Sequence, residues 1–452
     1  VVSRRTPAVH RLTLRKTACI LALALLGLAA HPAYGQLFGD LEQDATGRPA
    51  DMAALGMANA GVALIDPDLV FSYNPAQLGQ LPLDRLHLQV LGLRFGFSPD
   101  IFDKLDFIQG DLQDAIDTGI ENLYEDDRAE LEALYAQARG LAEEESVLAA
   151  QILLPQAFFR AGPVNVGIGA YLQGYSRVQF SPDLVPVLDA YGQTEFILPV
   201  AVGYRVPGTA IDEFQTGGLS VGGTIRYIRR QVTAKQSPID ALDDTESRYF
   251  FRGSGLGLDI GAHYEEVLPN VNAGLAIFNL IGGGVDLNFE GGRIPFDDSE
   301  STGPFEILFG VSEPTDASPL SAADSLEFQE LEARFAERSA APTARLGAAY
   351  DLDLDLANSA LSGVSIALDY TSRSTSEFTQ PFGAHWRLGV GFELVNIVHA
   401  RAGYAQGYPA LGVGIDTRFA QFDYAFFSVE DGRLPGQLRR SNHRFQMRFG
   451  LF

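Results

Sequence analysis

Beyond a basic and apolar N-terminal stretch the chain has five histidines: His87, His263, His385, His399 and His443. None lies three or four residues from another, the spacing a helical metal pair needs, so each ring reads as a lumen or interface residue and no metal is expected. Asp351, Asp353 and Asp355 alternate with leucines, which on a strand puts three carboxylates on one face, where a hard cation could sit. No glycine turn or closing bidentate glutamate supports that use. Arg226, Arg229 and Arg230 form a candidate lumen basic cluster, able to meet an anionic head group or, as the better reading, to pair with the many acids nearby. Gly253, Gly255 and Gly257 mimic half of a nucleotide fingerprint, but they run on into Leu258-Asp259-Ile260-Gly261 as a strand with no helix start. No Gly-x-Ser-x-Gly elbow or Gly-Lys-Ser/Thr loop occurs, so no cofactor is expected and the chain does not read as an enzyme.

The elements that carry these residues point to export and a membrane. Arg4, Arg5, Arg11, Arg15 and Lys16 precede an apolar run from Ala18 to Ala30, and Ala33-Tyr34-Gly35 supplies small residues for cleavage before Gln36. Residues 1–35 therefore read as a secretory signal peptide, too short in its apolar part to span a bilayer as a helix. The single cysteine, Cys19, lies inside it, which excludes disulfides and cysteine metal sites from the remainder. Without residues 1–35 the chain keeps 28 basic against 57 acidic residues, a net charge of −29. Such acidity opposes nucleic-acid binding, which rests on neutralising phosphates, and suits well-solvated loops. The hydrophobic fraction is 46 %, with 30 Phe, 16 Tyr and 47 Gly, yet no later apolar run is long enough for a spanning helix. Lipid-facing and lumen-facing residues alternating along barrel strands produce that combination.

Alternating segments of about ten residues, the length of a tilted membrane strand, recur from residue 83 onward. They fall near 83–97, 152–161, 163–178, 194–206, 217–233, 247–263 and 270–280. A second set lies near 342–353, 361–373, 382–394, 397–404, 410–417, 420–430 and 443–452. That is about fourteen strands, an even number as in single-chain bacterial barrels. Links after even-numbered strands are short or moderate, and those after odd-numbered strands are mostly longer, as for periplasmic turns and outer loops. The sequence thus predicts an all-β, antiparallel transmembrane β-barrel over 83–452. Two outer loops, 98–151 and 281–341, carry helical periodicity. In the first, Leu105, Ile108, Leu112, Ile116, Ile120 and Leu123 recur at helical steps, followed by Leu131, Leu134, Ala138 and Leu141. In the second, Leu326, Phe328, Leu331 and Phe335 do so within Ser325–Arg338. In the last strand, Arg444, Gln446 and Arg448 are expected to face the lumen and Phe445, Met447, Phe449 and Leu451 the lipid, out of phase with the terminal Phe452.

Between leader and barrel, residues 36–82 contain Met52-Ala53-Ala54-Leu55-Gly56-Met57-Ala58-Asn59-Ala60-Gly61-Val62-Ala63, then Asp66-Pro67-Asp68 and Phe71-Ser72-Tyr73-Asn74-Pro75-Ala76-Gln77-Leu78. This small-residue stretch, acidic turn and Asn-Pro-Ala segment closely resembles the N-terminal plug of the FadL-like family of outer-membrane barrels, with its PorV branch. Gly274–Leu280, Ala344–Tyr350 and Arg401–Tyr404 are similar to that family as well. The plug motif residues are Gly56, Gly61, Asn74, Pro75 and Ala76. Small residues let a segment lie against a barrel wall, and Asn before Pro favours extended or turn geometry.

The resemblance implies a bacterial outer-membrane channel for passive uptake of hydrophobic small molecules of fatty-acid or hydrocarbon type. These leave sideways through a gap in the wall beside the plug. Its partners would be outer-membrane lipids, the outer-membrane assembly machinery and the hydrophobic ligand. The PorV branch implies an alternative, a scaffold or shuttle whose outer loops hold a secreted or surface protein. A channel requires an apolar path from the outer loops to a gap beside the plug. A scaffold requires a filled lumen and an exposed apolar loop patch.

Overall fold

The computed structural model describes residues 50–83, 86–118, 128–142, 146–209, 217–239, 247–280, 290–295, 329, 342–353, 361–372, 382–394, 397–417, 419–430, 436 and 439–451. Seventeen strand segments join into one antiparallel sheet closed on itself, and three staves consist of two segments each, which makes fourteen staves. They are β1 (His87–Phe97), β2 (Ser146–Leu153 with Gln156–Ala161), β3 (Val164–Ile168 with Tyr171–Phe180), β4 (Val187–Arg205), β5 (Gly218–Pro238), β6 (Ser247–Leu268) and β7 (Val271–Phe278 with Glu290–Pro295). The second half comprises β8 (Thr343–Asp353), β9 (Leu361–Thr371), β10 (Trp386–Leu394), β11 (Val398–Ala405), β12 (Tyr408–Asp416), β13 (Ala420–Glu430) and β14 (Arg439–Leu451). Pairing of β1 with β14, Leu93 opposite Met447, closes the barrel.

Period-two alternation sets the two faces. Outward residues such as Val200 and Val202 on β4, Leu411 and Val413 on β12, and Phe445 and Phe449 on β14 are large, apolar and exposed. Their inward neighbours Ala201, Ala410 and Arg444 are buried. An apolar band of exposed side chains around a closed sheet with a polar interior is a surface matched to lipid. Tyr370, Phe382 and Trp386 cluster at one rim, as amphipathic rings do at a membrane interface. Arg444, Gln446 and Arg448 face inward and Phe445 and Phe449 outward, as the alternation predicts.

Three departures from the expected plan bear on function. β2 breaks at Leu154-Pro155 and β3 at Gly169-Ala170, where continuous strands are expected. Proline has no amide to give the ladder, which accounts for the first break. β7 resumes at Glu290–Pro295 and pairs with β6 inside what reads as a loop, because the glycine-rich residues Gly291 and Gly292 hide the alternation. In the outer loop, α1 (Ile101–Phe107) passes through a π-turn at Ile108–Leu112 into α2 (Gln113–Thr118), and α3 spans Arg128–Gly140. The π-turn adds a residue and rotates the buried face, so Phe107, Leu112 and Ala115 are buried while Leu105 and Ile108 sit at the margin. Leu131, Leu134 and Ala138 of α3 pack where the periodicity puts them, together with Phe180, Leu188 and Ile239 from the tops of β3, β4 and β5. The leader, the Ser325–Arg338 pattern apart from Gln329, Asp355 and Phe452 lie outside the described residues.

Candidate functional site

Residues 50–83 lie inside the barrel, and their fold starts from short-range polar capping. Asp51 caps the five-residue helix Met52–Gly56 by accepting from the Ala53 and Ala54 amides at 2.8 and 3.3 Å. Ala58 and Asn59 then take left-handed backbone with φ of 56° and 65°, turning the chain along the wall. Asn74 caps the 3-10 turn Pro75–Gly79: its Oδ1 accepts from the Ala76 amide at 3.0 Å. Its Nδ2 donates to the carbonyls of Val62 and Ala262, both at 3.1 Å, so one side chain ties both halves of the segment to β6. Gln77 donates to the Gly61 carbonyl at 3.0 Å, and Ser220 on β5 donates to the Ala76 carbonyl at 2.7 Å. A Cβ at Gly61 would lie 2.9 Å from the Tyr73 ring.

Glycines of the wall admit the segment's backbone. A Cβ at Gly412 on β12 would stand 2.8 Å from the Gly56 Cα, and one at Gly403 would strike the Met57–Ala58 peptide. Gly389 faces Met57, Gly274 faces the Val62 carbonyl, Gly261 faces Asn74, Gly222 faces Pro75, and Gly203 faces Leu78 and Gly79. Asp369 on β9 accepts from the Gly61 and Val62 amides at 2.8 and 3.0 Å. A buried carboxylate held by two amides is a strong charge-assisted anchor. Sequence reasoning missed Asp369, whose only signal is an isolated acid in an otherwise apolar strand. The motif residues thus each meet the wall but at separate places: Gly56 against β12, Gly61 at Asp369 of β9, and Asn74, Pro75 and Ala76 against β5 and β6.

The arginine trio does not act as one cluster. Strand alternation puts Arg226 and Arg230 on the inner side and Arg229, which is exposed, on the other. Arg226 donates to Asp259 at 2.9 Å and to the Asn279 side chain at 3.0 Å. Arg230 pairs with Glu195. That pair opens a hydrogen-bonded row across the inner wall: Glu195 accepts from Gln173, Gln173 from Gln151 at 2.8 Å, and Gln151 from Arg94 at 3.3 Å. Arg94 continues it to Gln446, which donates to Asp423 at 3.3 Å; Asp423 in turn pairs with Arg401 at 2.8 Å. Arg448 pairs with Asp68 of the plug.

Apolar side chains lie above and below this row on β2 to β5. Above it, the Tyr175 and Tyr191 rings sit edge to face with centroids 6.2 Å apart, under the loop-helix cluster. Below it, Leu153, Tyr171, Ile197 and Ile228 surround Phe71 of the plug, whose ring lies 5.3 Å from that of Phe158. Here the wall is irregular. Leu153 opposes Tyr171 but Ala157 opposes Ile168, so β2 carries one extra residue there, a bulge containing exposed Pro155. At the break the Leu154 amide bonds the Ala170 carbonyl (3.0 Å) between β2 and β3, while the Gly169 amide bonds the Pro199 carbonyl (3.1 Å) between β3 and β4. β1 is irregular at the same level, between Gln89 and Leu91. Gly167 and Gly169 present no side chain toward Phe71.

A cavity of about 310 Å³ lies between the plug and the short-turn ends of β8 to β12, lined by Leu64, Asp66, Asp351, Glu393, His399 and Arg401 among others. His399 pairs with Asp416 at 3.1 Å, and Asp351 accepts from Asn272 at 3.0 Å. Asp66 caps the turn Pro67–Leu69. Burial, with Asp51 nearby, pushes its carboxyl up to about 6.

No family model and no curated protein matches the sequence. Among solved structures, the toluene transporter TbuX of Ralstonia pickettii is 13 % identical with a TM-score of 0.45, over 89 % of this chain and 98 % of that one. A Pseudomonas aeruginosa FadL homologue is 11 % identical with a TM-score of 0.41, over 89 % and 98 %. The Pseudomonas putida toluene transporter TodX is 10 % identical with a TM-score of 0.45, over 92 % and 99 %. At such identities and scores these likenesses decide neither family nor substrate.

Proposed function

We propose that this barrel is an outer-membrane channel for passive uptake of hydrophobic small molecules of hydrocarbon or fatty-acid type, which leave through the wall beside Phe71. The observation that carries the reading is the interrupted seam of β2 and β3 against an apolar face of the plug. An axial route would require the plug to withdraw from a wall that has been shaved to glycine to receive its backbone. A lateral route requires a phenyl ring to swing and the Leu154–Ala170 bond at the break to part. Apolar solutes gain from that direction, since the seam opens toward hydrocarbon rather than water.

The test is uptake of a labelled hydrocarbon by cells with and without the chain. Wild-type should raise the rate, and Gly169→Phe, which fills the seam against Phe71 and Gln156, should remove most of the gain. Equal uptake by the two would put the route elsewhere. No gain from wild-type with the hydrocarbon or with its hydroxylated analogue would end the channel reading.

A further inference from the structure

Three inward polar atoms beside the apolar strip have no hydrogen-bond partner: Thr224 Oγ1, Asp259 Oδ2 and Asn279 Nδ2, on side chains 0 %, 1 % and 3 % exposed. Their positions are fixed by neighbours that use the other atoms. Asp259 Oδ1 accepts from Arg226 and, at 2.9 Å, from the Asn279 amide, while Asn279 Oδ1 also accepts from Arg226. Thr224 stands directly opposite Asp259 on the adjoining stave. Buried polar groups in folded proteins are almost always satisfied, and three open ones in one place need an occupant.

The wall next to them is built of glycine, with the Arg226 side chain lying over Gly257. Gly253, Gly255 and Gly257 share the inner face of β6, opposite Arg230, Ile228 and Arg226, and the first two stay partly exposed although that face points inward. Ile228 belongs to the apolar group around Phe71. Ile228 is itself buried, so an apolar body would reach it by displacing the Phe71 ring, with its head toward Asp259.

Resting on the channel reading above, we propose that Thr224, Asp259 and Asn279 form a head-group site selecting neutral hydroxylated apolar molecules. The set offers one carboxylate acceptor, one amide donor and one hydroxyl, the complement of an alcohol or phenol. Arg226 and Asp259 cancel in charge, so a carboxylate gains no net attraction and meets the open Asp259 oxygen. A plain hydrocarbon leaves all three atoms unsatisfied, and a site built to bond a hydroxyl discriminates strongly against the analogue lacking it.

The test is equilibrium binding of 2-naphthol, naphthalene and 2-naphthoate to the full chain in mild detergent. Wild-type should hold 2-naphthol at least about ten-fold more tightly than naphthalene, with 2-naphthoate no better than naphthalene. Thr224→Val, which keeps the side-chain shape, should cut the preference several-fold, and Asn279→Leu should nearly abolish it, with naphthalene affinity unchanged in both. Equal affinity for naphthol and naphthalene, a preference for naphthoate, or variants that keep the wild-type preference would overturn the head-group site and leave the channel intact. Binding of none of the three would overturn both.

Discussion

The plug meets two kinds of wall. Around β4 to β12 the contact is backbone against glycine, with Gly203, Gly222, Gly261, Gly274, Gly389, Gly403 and Gly412 each leaving the space that a Cβ would fill, and Asp369 clamps the Gly61 and Val62 amides. Along β2 and β3 the contact is a ring among apolar side chains, against staves whose ladder is broken at Pro155 and Gly169. Peptide-on-peptide contact is all or nothing, because a single added methyl has nowhere to go. Side-chain contact is graded, because rings can turn. The same plug is therefore fixed on one side and yielding on the other.

The contrast is sharpest for Gly389→Val. It drives a branched side chain into Met57 and should abolish the folded barrel, read as loss of the compact, heat-modifiable band on a gel. A folded Gly389→Val barrel would break the distinction. Next, Asp369→Ala strands the Gly61 and Val62 amides and should cost ~2–4 kcal/mol in denaturant unfolding. A loss under ~0.5 kcal/mol would mean that the clamp is decorative. On the yielding side, Phe71→Ala should cost less than a well-packed core phenylalanine, ~1–2 kcal/mol, because the surroundings can collapse into the gap. It should leave folding intact and speed hydrocarbon uptake several-fold; unfolding like that of Gly389→Val would erase the difference between the two sides.

The smallest effect concerns Asp66. Its carboxyl titrates near 6 in the folded chain against 3.8 when free, so the folded state holds the proton better. Stability should then rise as the pH falls through 6 toward 4, by on the order of 1 kcal/mol after screening, and fall as the pH rises through 6. Asp66→Asn should flatten that slope in a pH series of unfolding curves. Asp51, Asp416, Arg401 and Arg448 also act on the group, and an unchanged slope would show that Asp66 is not its source.

Strand positions were legible from Leu86 onward because lipid and lumen impose opposite chemistry on alternate residues, as Arg444 to Phe449 show. The segment inside the barrel left its signal in the order of its parts, small residues, an acidic turn and then Asn-Pro-Ala, each of which alone is common. The glycine sockets were not: their partners lie far off in sequence, Gly412 on Gly56 for instance, and a one-residue slip in register reverses every face. Register also separated Arg229 from Arg226 and Arg230. The seam left a trace in Pro155, which reads as an ordinary strand residue until its ladder neighbours are known. The head-group atoms are legible only in space, since Thr224 on β5, Asp259 on β6 and Asn279 just past the first segment of β7 lie far apart in sequence.

β4, β5 and β6 run 19, 21 and 22 residues, about twice what a bilayer crossing needs. The surplus of about ten residues, tilted as barrel strands are, lifts one side of the rim roughly 25 Å beyond the others. The helices α1 to α3 pack on this rampart through Phe180, Leu188 and Ile239. A molecule arriving from water would thus meet apolar side chains well before it reached the charged head groups, whose repulsion of oily solutes is the barrier that such a tower would let them bypass.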